Sequence, residues 1–299
     1  MLSILITSTL YIFFSNTENK SKYSIDIKKF KAFPNDNLED TDQIQSAINY
    51  LGNNGGGTIE FSSGTYLIDS IKSIRLKSNI TLKFEKNSIL KSLPNNAEGY
   101  EIIRIYNVKN IKLLGGVKIV GERNEHLGIK GEWGIGISIK GSKRIYIENS
   151  IITNCWGDGI YVGKSNTKLY SKDITLKNIK FENNRRQGIS IVSVINLKAI
   201  NIIANNTNGT KPSSGIDLEP NNQNEYMKNV EIINLSTKNN EGYGLLFALG
   251  RLSESPNSID IRVSSTKDIK DNIGLFIPNR ITGKIKIGDE YILNTTKEK

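Results

Sequence analysis

The chain has 299 residues, 40 Lys and Arg against 30 Asp and Glu for a formal charge of +10, one His, one Cys and 26 Gly. That length suits one large domain or two ordinary ones, and 37% hydrophobic content is enough to bury a substantial core, which excludes an intrinsically disordered chain. A single cysteine excludes an internal disulfide framework and any Cys-clustered zinc or iron–sulfur site.

The 47 Ile and 36 Asn are both well above the usual share. β-branched residues favour half-buried strands and Asn tolerates left-handed turns, so the pairing predicts many short strands separated by tight corners. Lys and Arg are spread along the chain and often alternate with Ile. No basic block or aromatic-interleaved motif stands out, so nucleic acid is not the expected partner. An AT-rich coding sequence would raise Lys, Asn and Ile together.

In chain order, residues 2–14 (LSILITSTLYIFF) form an uncharged run too short to span the membrane as a helix, so stable membrane insertion is not expected. The run suits the apolar part of a secretory signal, although no positive residues precede it and no A-x-A site follows. The expectation is a secreted or cell-surface protein with a leader and linker over 1–22. Next comes DTDQIQSAINYLGNNGGG, in which Asp40 or Thr41 caps a helix with Ile44, Ala47, Ile48 and Leu51 on its apolar face and Gly55-Gly56-Gly57 as its stop. TIEFSSGTYLI then reads as two short alternating strands around Ser62-Ser63-Gly64.

The remainder repeats. Gly followed by apolar–x–apolar recurs as Gly136-Ile-Ser-Ile-Lys, Gly159-Ile-Tyr-Val-Gly, Gly188-Ile-Ser-Ile-Val, Gly215-Ile-Asp-Leu-Glu, Gly244-Leu-Leu-Phe-Ala and Gly274-Leu-Phe-Ile-Pro. Differences between those positions are 23, 29, 27, 29 and 30 residues, within the range of stacked repeat units. A second alternating segment sits between anchors, at Ile145, Ile174, Leu197, Val230 and Ile259, and Asn pairs such as Asn183-Asn184, Asn205-Asn206 and Asn239-Asn240 mark corners. Two or three strands per unit describe the coils of a parallel β-solenoid.

At this point the residues carry a resemblance. EDTDQIQSAI…GGGTIEFSSGTYLI is similar to the N-terminal capping segment of the pectate-lyase superfamily, and the repeat extends the similarity over most of residues 25–280. The resemblance implies an all-β right-handed parallel β-helix with an N-terminal capping helix. Residues 23–299 would then form a single domain, with the cap at about 25–68 and coils over about 69–299. The implied partner is a polysaccharide held in an outer groove. The fold does not fix the reaction, so the site is argued separately.

Strand alternation sends the first and third residues after each Gly inward and the second and fourth outward. The expected outward column is Ser138/Lys140, Tyr161/Gly163, Ser190/Val192, Asp217/Glu219, Leu246/Ala248 and Phe276/Pro278. Only one of these rungs carries two carboxylates, Asp217 and Glu219, with Cβ atoms about 6.5–7 Å apart. That separation fits either a retaining or an inverting glycosidase. The turns entering the strands should rim the same face with Trp133, Trp156, Asp158, Arg185, Arg186, Gln187, Glu241 and Tyr243, and the loop GERNEHLGIKGEW adds Arg123, Glu125, His126 and Glu132. Aromatic faces stack on sugars, Arg forks hold sugar carboxylates, and paired carboxylates do acid and base work.

The expected site therefore has Asp217, Glu219 and Asp158 as catalytic groups. Arg185, Arg186, Gln187, Trp133, Trp156, Tyr161, Arg123, His126 and Glu132 would contact an acidic polysaccharide. Each has an ordinary alternative: a solvated face for Asp217 and Glu219, a turn for Asp158, a solvated charge pair for Arg185 and Arg186, a hydrogen-bonding loop residue for His126. Cys155 reads as a small core residue, and stacked Asn corners as a structural ladder.

Family motifs narrow the reaction only partly. Gly157-Asp158-Gly159 stands where polygalacturonases carry D-D, and Arg186-Gln187-Gly188-Ile-Ser-Ile where they carry a G-H-G turn, but Gln replaces His and R-I-K is missing. The alginate-epimerase D-P-H motif is absent too. The readings in order are a glycosidase on an anionic polysaccharide, a uronate lyase or epimerase on the same groove, and a non-catalytic carbohydrate-binding β-helix. A glycosidase implies no cofactor, and a lyase would bring a calcium ion. Tailspike-like members are often trimers, so a homotrimer is the possible assembly.

Overall fold

A computed structural model describes residues 23–264, 266 and 268–295, so the signal-like run 2–14 lies outside the described residues. One sheet of eight parallel strands runs strictly in chain order: Ile74–Arg75, Gly99–Tyr106, Trp133–Lys140, Asp158–Gly163, Gln187–Ile191, Ser214–Leu218, Leu245–Ala248 and Ile273–Phe276. A second sheet of fifteen strands takes the remaining segments of each coil, and its central strands are also parallel and ordered by sequence. Each strand pairs with its counterpart one coil away, which makes the fold a parallel β-helix.

The repeat produces this architecture by stacking like on like. Ile137, Ile160, Ile189, Ile216, Leu245 and Ile273 are register partners in successive coils, and the first five are at most 1% exposed. Burying each such side chain stabilises the fold by about 1.5–3 kcal/mol, so the excess Ile is the inward column.

The corners are made by asparagine. Asn149, Asn178, Asn201 and Asn234 all have φ between 52° and 58°. Their side chains form a chain of amide hydrogen bonds from coil to coil, Asn178 to Asn149 at 2.7 Å, Asn201 to Asn178 at 2.8 Å and Asn234 to Asn201 at 2.9 Å. Asn tolerates the left-handed region better than other residues with a Cβ, and the ladder adds a partner for each amide. Because these corners bend the chain sharply without breaking pairing, Ser171–Glu182, Val194–Asn205 and Met227–Lys238 each run through one as a single strand.

Thr41–Asn53 forms the capping helix, burying Thr41, Ile44, Ala47, Ile48 and Leu51. Asp40 stands at its N-terminus but does not cap it. Its carboxylate instead accepts from the Leu67 N–H at 3.0 Å, and Thr41 Oγ1 accepts from the Asp69 N–H at 2.9 Å, which ties the helix to the first coils. The strands around Ser62-Ser63-Gly64 are Gly57–Phe61 and Gly64–Ile68, as their alternation predicts. At the other end Gly283–Ile287 pairs antiparallel with Glu290–Thr295.

Candidate functional site in the outer groove

The glycine of each repeat shapes the groove. A Cβ at Gly159 would meet Phe181 and Asn184, and one at Gly188 would meet the Gly215 carbonyl at 2.3 Å and Phe181 at 3.2 Å. Glycine therefore faces the packed interior, and so does the apolar residue after it. Alternation slips by one there, and the residue before the glycine joins the outward face. Asp158 and Gln187, register partners, thus share a surface with Tyr161, Ser190 and Asp217, which are partners in successive strands.

Two of the three expected carboxylates meet at one guanidinium, and the third, Asp217, is held by Gln187. Arg186 Nη1 lies 3.0 and 3.2 Å from the two Asp158 oxygens, and Nη2 lies 3.3 Å from Glu219 Oε2. The Ser190 hydroxyl donates to Asp158 Oδ2 at 2.8 Å, and Gln187 Nε2 donates to Asp217 Oδ2 at 2.7 Å. Asp158 and Asp217 are buried, whereas the Glu219 side chain is 36% exposed. Burial raises the Asp158 carboxyl above its usual range despite Arg186. Asp217 is pushed up to about 8, by burial first and then by the like charge of Glu219. Its Oδ1 is buried without a hydrogen-bond partner. The strand Ser214–Leu218 and its exit thus place a carboxyl that keeps its proton at neutral pH two residues before one that is open to solvent.

Glu219 opens into a depression of about 400 Å³ whose walls include Tyr100, Glu101, Arg104, Trp133, Lys140, Tyr161, Arg186 and Ser190. A second hollow of about 520 Å³ continues on the other side of Glu219, bounded by Pro220, Ala248, Arg251 and Phe276. Trp133 is 53% exposed. The Tyr161 ring folds over Gly163, where a Cβ would lie 2.7 Å from the ring, and burial raises its phenol pKa.

Other expected contacts are committed elsewhere. His126 stacks on Trp156 at 3.8 Å between ring centroids, and the Arg185 guanidinium lies 3.7 Å from the centroid of the Trp156 ring. The His126 side chain is 1% exposed, with Nδ1 3.0 Å from Glu122, which also accepts from the Tyr100 hydroxyl. Arg185 Nη1 donates to the Gly131 carbonyl at 2.8 Å, and Arg123 donates to Asn183 and Asn208. Arg123, Arg185, His126 and Trp156, expected to contact substrate, are thus each engaged by protein partners at the corner. Glu132 lies near enough for its charge to act on Arg185 and Arg186. The last rung is also corrected: Gly274, not Phe276, stands opposite Leu246, and Phe276 stands opposite Ala248.

Sequence reasoning missed Glu101, Arg104 and Tyr106. Their strand, GYEIIRIY, lacks the Gly–apolar–x–apolar signature by which the coils were counted from Gly136, although it pairs with Trp133–Lys140 in full register. Among the described residues no group of three or more His, Cys, Asp or Glu side chains is arranged to hold a metal ion. The calcium set that a lyase would bring is therefore not formed by Asp158, Asp217 and Glu219, which are held by Arg186, Ser190 and Gln187.

The arrangement is that of a right-handed, pectin-lyase-like β-helix, and comparisons with solved structures give the same fold. The chain superposes on the family GH82 iota-carrageenase from A. fortis with a TM-score of 0.65, 18% identity, and coverage of 88% of this chain and 59% of that one. The tailspike gp49 of Acinetobacter baumannii bacteriophage Fri1, a capsular polysaccharide depolymerase, matches with a TM-score of 0.59 and 15% identity over 90% of this chain and 47% of that one. In sequence the chain is 29% identical over 279 residues to the uncharacterized protein YclG of Bacillus subtilis, and it spans 47% of that relative's length. No protein-family model matches the chain.

Proposed function

We propose that the protein is a polysaccharide hydrolase, with Glu219 as the group that meets the glycosidic bond and Asp217 as its proton-holding partner. The observation that carries this reading is the Asp217–Glu219 pair itself: a buried carboxyl raised to about 8 beside a carboxylate at the mouth of the groove. The pair thus sets a carboxyl that holds its proton at neutral pH beside one that faces the groove, and positioned carboxyl groups are the usual acid and base of glycosidic-bond hydrolysis. Asp217 is fully covered, so it acts on Glu219 through its charge state, the two carboxyls being coupled electrostatically. Asp158 and Arg186 position Glu219. The fold relatives named as carrageenase and capsule depolymerase support a polysaccharide as the substrate class.

The test is reducing-end release from a panel of acidic and neutral polysaccharides. Glu219→Gln is expected to lower turnover by about 10²–10⁴-fold, the usual worth of acid–base catalysis. A product carrying an ultraviolet-absorbing double bond would mark β-elimination and overturn the hydrolase reading. Retained binding without any turnover would do the same in favour of a non-catalytic β-helix.

A further inference from the structure

The charge of the groove is distributed in a way that the reaction centre does not explain. Arg123, Arg185 and Arg186 are all engaged by protein partners. The first depression carries two more cations, Arg104 and Lys140, on adjacent strands, with side chains 33% and 28% exposed. They share one carboxylate. Glu101 lies 2.9 Å from Arg104 Nε and 3.4 Å from Lys140 Nζ, and it also accepts from the Tyr106 hydroxyl. Two positive charges against one negative leave a net positive end of the depression. The Lys140 ammonium is held in place between the Tyr106 and Tyr161 rings, 5.0 and 5.1 Å from their centroids.

Register relates this end to the reaction centre. Lys140 pairs with Gly163, and the Val192 and Glu219 N–H groups donate to the Val162 and Ile191 carbonyls, which carries the same column through Val192 to Glu219. Lys140 and Glu219 thus stand three coils apart, about 14 Å at the spacing of paired strands. Between them the column has Gly163, covered by the Tyr161 ring, and Val192, which is 2% exposed. The column therefore carries no charged side chain between its two ends: an aromatic plate covers Gly163, Val192 is buried, a cation pair stands at one end and a carboxylate at the other.

We propose that this groove takes a polysaccharide bearing carboxylate or sulfate groups, and that Arg104 and Lys140 hold one such group a few sugar units from Glu219. The inference rests on the groove being a polysaccharide site and supplies its substrate class. A fixed oxyanion can replace water on the Arg104 fork and the Lys140 ammonium, and Glu101 holds the ammonium by a hydrogen bond and the guanidinium by charge. An anionic sugar would be repelled if its charge lay at Glu219 itself, so the separation of the two ends also sets the register of the chain in the groove.

The test uses full-length protein carrying Glu219→Gln, titrated calorimetrically with polygalacturonate, carboxyl-reduced polygalacturonate, iota-carrageenan and desulfated carrageenan. One acidic polymer is expected to bind at least tenfold more tightly than its neutralised form, and which of the two does so distinguishes carboxylate from sulfate. Adding Arg104→Gln and Lys140→Gln is expected to remove that difference, while Arg104→Lys with Lys140→Arg restores part of it. An unchanged thermal midpoint shows that the substituted proteins are folded. Equal binding of charged and neutralised polymers, undiminished binding after the double substitution, or no binding by either acidic polymer overturns the inference. Turnover by the unsubstituted enzyme is read separately. Charge-dependent binding without turnover sinks only the hydrolase reading, and turnover of a neutral polymer alone sinks only the charge assignment.

Discussion

Asp217 makes a stability cost of its own chemistry. Folded, it keeps its proton to about pH 8, against an ordinary 3.8. Between those values the native state binds one more proton than the unfolded chain, so stability falls as pH rises through this window and levels off above it. The full cost is on the order of 5 kcal/mol. Asp217→Asn, which copies the neutral form, is expected to flatten the dependence of the melting midpoint on pH between 5 and 8. An unchanged slope would show that Asp217 titrates normally. Arg186 is the complementary case. Its guanidinium holds Asp158 and Glu219 with a side chain only 14% exposed. Arg186→Ala strands a buried carboxylate and is expected to cost about 3–5 kcal/mol in denaturant unfolding; a loss below 1 kcal/mol would mean that Asp158 is neutral without it.

At the level of elements, the corner ladder and the glycine slip carry the geometry. Asn201 both donates to Asn178 and accepts from Asn234, at the middle of the longest run. Asn201→Ala removes both bonds and the residue type suited to φ 54°, and is expected to lower stability by about 2 kcal/mol, measured by chemical denaturation. No loss there would make the ladder incidental. The sequence made these elements legible because period-two Ile and recurring Gly and Asn record local backbone demands. Asp217, Glu219 and Asp158 were legible for the same reason, since register follows from the repeat. The burial of Asp217, the stacking of Arg185 and His126 on Trp156 and the bonding of Arg123 to Asn183 and Asn208 were not legible, because they depend on which side chains a corner loop folds against. Arg104 was hidden because its strand pairs in register without the glycine that marked the other coils.

For the whole molecule, contacts run mainly between neighbouring coils, so stability is a sum along one axis rather than a property of a central core. The closing hairpin Gly283–Thr295 has a neighbour on one side only and its last strand is largely exposed, whereas Gln187–Ile191 is wholly buried and paired on both sides. Hydrogen exchange is expected to be faster at the hairpin amides by orders of magnitude. Uniform protection along the chain would instead indicate a single cooperative unit. The same axial stacking gives the groove a unit of length. Each coil adds about 4.8 Å, close to the advance of one sugar along an extended glycan, so the three coils between Lys140 and Glu219 act as a ruler. A chain that gained or lost one coil in that interval would keep both ends of the groove intact and change only the distance between the cation pair and Glu219.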